Sequence, residues 1–75
     1  MKAYVLINVR AGKAREVVKK LQKTEGVRNA DTCWGRPDIF ALVEVSNEKT
    51  LAGTVLDKVQ AIDGIESTDT HIVIE

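Results

Sequence analysis

The 75-residue sequence predicts an α+β fold: one four-stranded antiparallel sheet, spatial order 4-1-3-2, with two helices on one face. Three observations predict it. Apolar spacing along the chain follows the order βαββαβ. Two runs, Ala3-Tyr4-Val5-Leu6-Ile7 and Ile39-Phe40-Ala41-Leu42-Val43, are apolar on both sides of a strand, whereas the remaining two strand segments are polar. A weak internal echo marks two βαβ-like halves: Val18-x-x-Leu21 before Gly26-Val27, and Val59-x-x-Ile62 before Gly64-Ile65. Strands apolar on both faces belong at a sheet's centre and polar ones at its edges. The split βαβ, ferredoxin-like arrangement puts each kind where its polarity fits.

Residues 3–9 form the first strand. From Lys13 a helix follows, with Ala14, Val17, Val18 and Leu21 at i, i+3, i+4 and i+7 and Arg15, Glu16, Lys19 and Lys20 on the remaining surface. Glu25-Gly26 ends it, glycine suiting the left-handed position after a helix. Val27–Trp34, carrying Arg28, Asn29, Asp31 and Thr32, reads as an edge strand. Gly35-Arg36-Pro37-Asp38 supplies turn residues, and Ile39–Val45 returns as the third strand of a hairpin. Ser46 or Asn47 can cap the second helix, whose apolar positions are Leu51, Ala52, Val55, Leu56, Val59 and Ile62. Gly53 within it costs about 1 kcal/mol against alanine unless close packing needs it. Gly64 ends this helix, and Ile65–Ile74 is the last strand.

Right-handed crossovers place both helices on one face and leave the other uncovered. That face presents either Tyr4 and Leu6 or Val5 and Ile7, with Phe40 and Leu42 or Ala41 and Val43. Leaving such side chains wet costs about 1.5–3 kcal/mol each. No spare segment is long enough to make a lid. The expected cover is a second copy, sheet against sheet, in the pairing of a dimeric α+β barrel. Size argues the same way, since a domain this small buries only roughly 60% of the surface its unfolded chain exposes. A single cysteine, Cys33, excludes an internal disulfide and a multi-cysteine metal site, which leaves association as the source of added stability.

Acidic and basic residues balance at eleven each with no basic stripe to neutralise phosphates. Tyr4, Trp34 and Phe40 are the only aromatics, too few for a base-stacking platform. The amino-terminal apolar run is cut off by Asn8 and Arg10, unlike a signal peptide or membrane span. The expectation is a soluble, cytoplasmic protein that contacts neither nucleic acid nor membrane directly.

Few residues suggest catalysis. Cys33 and His71 are nucleophile and base types, but no third group orients them. A lone cysteine in an apolar strand reads as buried filler and a lone strand histidine as a surface or edge residue. The loop Asn8-Val9-Arg10-Ala11-Gly12 lacks thiols for a soft metal and has one glycine where a phosphate cradle wants several. Arg10 and Lys13 there read as solvated charge. No metal or cofactor is expected. The turn Trp34–Asp38 is more informative. Turn chemistry explains Gly35 and Pro37 but not why the only tryptophan stands beside them, nor Arg36 and Asp38. Backbone N–H groups in a turn hold a carboxylate and an aspartate holds an ammonium, together the requirements of a free amino acid. Thr68 and Thr70 share one face of the last strand and offer hydroxyls.

The ordered set Ala3-Tyr4-Val5-Leu6-Ile7-Asn8-Val9 with Gly12-Lys13, Gly26-Val27, Gly35-x-x-Asp38, Ile62-x-Gly64-Ile65 and Thr68-x-Thr70-x-Ile72-Val73-Ile74 resembles the ligand-sensing domain of Lrp/AsnC transcription factors. This domain is also called the regulation-of-amino-acid-metabolism (RAM) module, and the resemblance spans residues 1–75 as a single domain. It implies dimers paired through their sheets and joined into rings of four dimers, an octamer. It also implies an amino-acid effector bound between dimers near the Gly-x-x-Asp turn. By residue, that implicates Gly35, Arg36, Pro37 and Asp38, with Trp34 beside them and Thr68 and Thr70 as further candidates. The family's helix-turn-helix has no counterpart in this sequence. The expectation is therefore a stand-alone sensing module or a fragment cut to that length, non-enzymatic, amino-acid-binding and able to co-assemble with full-length relatives. The competing expectations are a small dimeric α+β barrel enzyme and a purely structural assembly domain.

Overall fold

The computed structural model describes residues 1–74. Four strands, β1 (Lys2–Val9), β2 (Val27–Thr32), β3 (Ile39–Glu44) and β4 (Ile65–Ile72), form one antiparallel sheet in the order β2-β3-β1-β4. This is the expected 4-1-3-2 order read from the other edge. Helix α1 (Ala14–Gln22) packs over β2 and β3, and α2 (Glu48–Gly53) continues as a π-helical segment, Thr54–Val59. The ferredoxin-like architecture is thus as the apolar pattern predicts.

The core lies between sheet and helices. Ala3, Val5, Ile7 and Val9 of β1 and Ile39, Ala41 and Val43 of β3 point into it, against Val17 and Leu21 of α1 and Leu51, Val55 and Val59 of the second helix. The choice left open by the sequence is therefore settled. Burial alternates along both central strands, and Tyr4, Leu6, Phe40 and Leu42 occupy the opposite face.

Element ends differ from the expected ones for identifiable reasons. β2 stops at Thr32, not Trp34, because the Cys33 N–H donates to the Asp38 carbonyl at 2.7 Å and closes the turn there. Gly35 sits in that turn at φ +100°, a backbone shape L side chains rarely adopt. α1 ends at Gln22, before Glu25-Gly26. β3 ends at Glu44 rather than Val45, and β4 at Ile72 rather than Ile74. Asn47 is the cap of α2, its side chain accepting the Thr50 N–H at 2.8 Å.

The second helix differs most. Ala52 and Leu56 lie outside the core, Leu56 with 60% of its surface exposed. From Leu51 round to Leu56 the apolar positions of an ideal helix span about 140° of arc, wider than one packed face. The core takes Leu51, Val55 and Val59 and leaves the flank. Past Gly53 the backbone also widens, the Gln60 N–H reaching the Val55 carbonyl five residues back. Gly53 itself has only the Asp57 side chain within 4 Å of where a Cβ would stand, so close packing does not explain it.

Candidate functional site

The uncovered face of the sheet is built in two rows. Asp31, Phe40, Leu6 and Asp69 lie opposite one another across the four strands, as do Asn29, Leu42, Tyr4 and His71. The inner four side chains are apolar and the outer four polar. Tyr4 is 49% exposed and Phe40 41%, although both stand on central strands. A contiguous apolar band with a polar rim is the form of an association surface, not of a solvated face.

One end of that face runs into the Trp34–Asp38 turn. Asp38 fixes the turn to the sheet three times. Its N–H donates to the Ile7 carbonyl at 3.0 Å, its carbonyl accepts from Cys33, and its Oδ2 accepts the Val9 N–H at 2.9 Å. The carboxylate thus satisfies a β1 donor just past the last β3 partner, Ile7↔Ile39. Sequence reasoning assigned Asp38 to a ligand, whereas one of its oxygens is committed to the fold. Gly35 has nothing within 4 Å of where a Cβ would stand, Arg36 is exposed, and Trp34 is fully exposed at 104%. The only tryptophan therefore contributes nothing to this chain's own core.

Beside the turn, Asn8 donates to the Ser67 hydroxyl at 3.1 Å, while its Oδ1 is shut off from solvent with no hydrogen-bond donor. Such an atom is uncommon, since a buried acceptor left unmet costs on the order of 1–3 kcal/mol. The sequence offers no signal for it beyond a polar residue on a central strand. At the same end, Arg10 meets Asp63 at 3.2 Å and Lys13 reaches both Asp63, at 3.6 Å, and Glu16, at 3.1 Å. The Arg10 guanidinium first, and Lys13 after it, hold the Asp63 carboxyl below the usual carboxylate range. Arg10 and Lys13 thus have an acidic partner within the chain and are not merely solvated.

The family profile described as Lrp/AsnC ligand binding domain matches residues 2–75. The chain belongs to the Lrp/AsnC ligand-binding family. An uncharacterized HTH-type transcriptional regulator from Pyrococcus furiosus is 37% identical over 71 residues, 95% of this chain and 48% of that protein. The chain spans about half the length of the curated relatives it matches. The crystal structure of FFRP-DM1 superposes with a TM-score of 0.92 at 33% identity, covering 97% of both chains. A Neisseria meningitidis transcriptional regulator, NMB0573, solved as its L-Met complex, matches at a TM-score of 0.86 and 20% identity, over 99% of this chain and 49% of that one. That last likeness concerns the fold alone.

Of the residues the Lrp/AsnC resemblance implicates, Trp34, Gly35, Arg36, Pro37 and Asp38 form one turn. Thr68 and Thr70 do not join it within one chain. They pair with Ile7 and Val5 and share the helix-side face with them, and β1 stands between β4 and the turn. Thr68 accepts a hydrogen bond from Gln60 at 2.8 Å. Thr70 lines an apolar groove of about 250 Å³ between the second helix and β4, together with Glu48, Leu51, Val55, Leu56 and Ile72. Cys33 is exposed, not buried filler. It follows β2, while His71 lies on β4, at the opposite edge of the sheet, hydrogen-bonded to Asp69 at 2.9 Å. The two cannot act as a pair within one chain. Among the described residues no group of three potential metal ligands converges, and no helix is long and apolar enough to cross a membrane.

Proposed function

We propose that this Lrp/AsnC domain is a non-enzymatic sensor that pairs with a second copy through its open sheet face and binds a free amino acid against the Trp34–Asp38 turn. The observation that carries the reading is the uncovered band of Tyr4, Leu6, Phe40 and Leu42 on the two central strands. Covering it with the same band of a second copy removes four large side chains from water in one step. The amino-acid part is supported by chemistry at the end of that face. The exposed turn backbone around Gly35, with Arg36, suits a carboxylate. The second oxygen of Asp38 suits an ammonium. The Neisseria regulator crystallised with L-Met shares this fold.

A thermal-shift screen against the twenty amino acids, with native mass spectrometry alongside, tests both parts. A ligand that binds only the folded state raises the melting temperature. The expected result is a mass of at least two chains and a shift with one or a few amino acids. Replacing Asp38 with alanine is expected to remove the ligand-induced shift while the mass stays unchanged. A single-chain mass at micromolar concentration, or no shift with any amino acid at millimolar concentration, would count against the sensor.

A further inference from the structure

The two outer edges of the sheet differ in what guards them. β2 is interrupted by a bulge between Val27 and Asn29, and α1 packs over it. β4 carries neither lysine nor proline, the usual guards of an edge, and pairs regularly with β1 from Ser67 onward. That pairing decides which backbone groups face outward. The Val73 N–H donates to the Lys2 carbonyl, so the alternation of an antiparallel ladder turns Ser67, Asp69 and His71 toward β1. Thr68, Thr70 and Ile72 turn their N–H and carbonyl groups away from the sheet, where they have no backbone partner among the described residues.

The second helix runs beside this open edge as a wall. Glu48, Ala52 and Leu56, four residues apart, line the apolar groove with Thr70 and Ile72. One step of four further on, Gln60 lines a polar pocket with Glu66 and Thr68. Edge and wall thus bound one channel, apolar toward Ile72 and polar toward Ser67. The charged residues that line it, Glu48 and Glu66, stand toward opposite ends. Both are acidic and exposed, and neither has an ion-pair partner among the described residues.

We propose that this edge accepts a fifth strand: an extended segment of another protein, with aliphatic side chains at alternate residues and a basic residue at each end. A row of outward N–H and carbonyl groups is met by extended backbone, whereas a helix has already bonded its own. Residues opposite Thr70 and Ile72 share their face of the sheet and so point into the apolar groove. Lysine or arginine at the ends answers Glu48 and Glu66. From Glu66 to Ile72 is about 20 Å by strand rise, which sets the segment at about seven residues. A second copy of this edge fits badly. Antiparallel pairing of β4 with β4 brings Glu66 of each chain toward the Glu48 end of the other, like charge against like. The channel is separate from the open sheet face and from the Trp34–Asp38 turn, so the inference rests on neither sheet pairing nor amino-acid binding.

Fluorescence anisotropy on the whole chain tests it. The probe is a fluorescein-labelled peptide of that length, leucine alternating with threonine between terminal lysines. Saturable binding is expected at low salt. Leu56→Glu should weaken it about tenfold with the urea midpoint unchanged, since Leu56 lies on the surface. Glu48→Lys and Glu66→Lys should each weaken it several-fold, and the double variant should prefer the same peptide ended with glutamates. Amide exchange reads the backbone directly: the peptide should slow Thr68, Thr70 and Ile72 and leave Ala30 and Thr32, on the other edge, unchanged. No binding at millimolar peptide, equal binding by Leu56→Glu, or binding that leaves those three amides unslowed would overturn the proposal. So would amides already protected without peptide together with a mass that falls in Leu56→Glu, because the occupant would then be a second copy.

Discussion

Gly64 shows how much one residue can carry in a chain this short. Its φ of +104° is hostile to L side chains, a Cβ there would stand 3.0 Å from the Cβ of Lys13, and its carbonyl accepts the Arg10 N–H at 2.8 Å. Gly64→Ala is therefore expected to destabilise the fold by about 1–3 kcal/mol, read as a lower urea midpoint. Asp38→Ala should cost about 1–2 kcal/mol by stranding the Val9 N–H. Asp38→Asn, which keeps an acceptor, should cost less. Asp63 sets a pH dependence. Its folded pKa is depressed by Arg10 and then Lys13, so its contribution is present above the ordinary carboxylate range and lost as pH falls through and below it. Comparing wild type with Asp63→Asn over the acid limb of a stability profile checks the sign: the difference should be greatest near neutrality and vanish in acid. The sequence made Gly64 legible as a helix stop. It did not reveal Asp38 as a fastener, because an aspartate beside a turn reads the same whether its oxygens face a ligand or a backbone N–H.

At the scale of elements, polarity predicted all four strands and their order. The two-sided apolar runs became β1 and β3, and the polar segments became edges, because edge backbone must tolerate water and central backbone need not. The sequence narrows the cap of α2 to Ser46 or Asn47, and Asn47 takes it. Asn47→Ala should cost about 0.5–2 kcal/mol and lower the far-UV helical signal, since α2 is short and leads into an irregular turn. What periodicity did not show is the π-helical segment and the division of the second helix's apolar arc into a packed half and an exposed half. A helical count assumes constant winding, and Thr54–Val59 departs from it. The apolar count includes Leu56, which the core leaves 60% exposed beside the groove it lines.

For the whole molecule, the decisive quantity is what covers the sheet. The pattern of Ala3–Ile7 and Ile39–Val43 implied an uncovered apolar face, and the structure selects Tyr4, Leu6, Phe40 and Leu42 for it. Placing charge there separates association from folding. A Tyr4→Glu, Phe40→Glu double variant is expected to keep its circular dichroism while its sedimenting mass falls to one chain. It should also lose the concentration dependence of its melting temperature, which a paired wild type must show. The ligand remains the least legible part. Five turn residues stay together, but Thr68 and Thr70 fall on the far side of β1 within one chain, as the predicted strand order already requires.

The start of β1 and the residue following β4 meet at one corner. The Met1 ammonium donates to the Val45 carbonyl at 2.8 Å, and the Val73 N–H donates to the Lys2 carbonyl at the same distance. Entry and exit thus run side by side in neighbouring strands, remote from the tryptophan hairpin. A few glycines would be enough to join them into a circular polypeptide with no rearrangement of the native state. Such a molecule would have fewer denatured conformations to surrender and so should melt at a higher temperature than its linear parent.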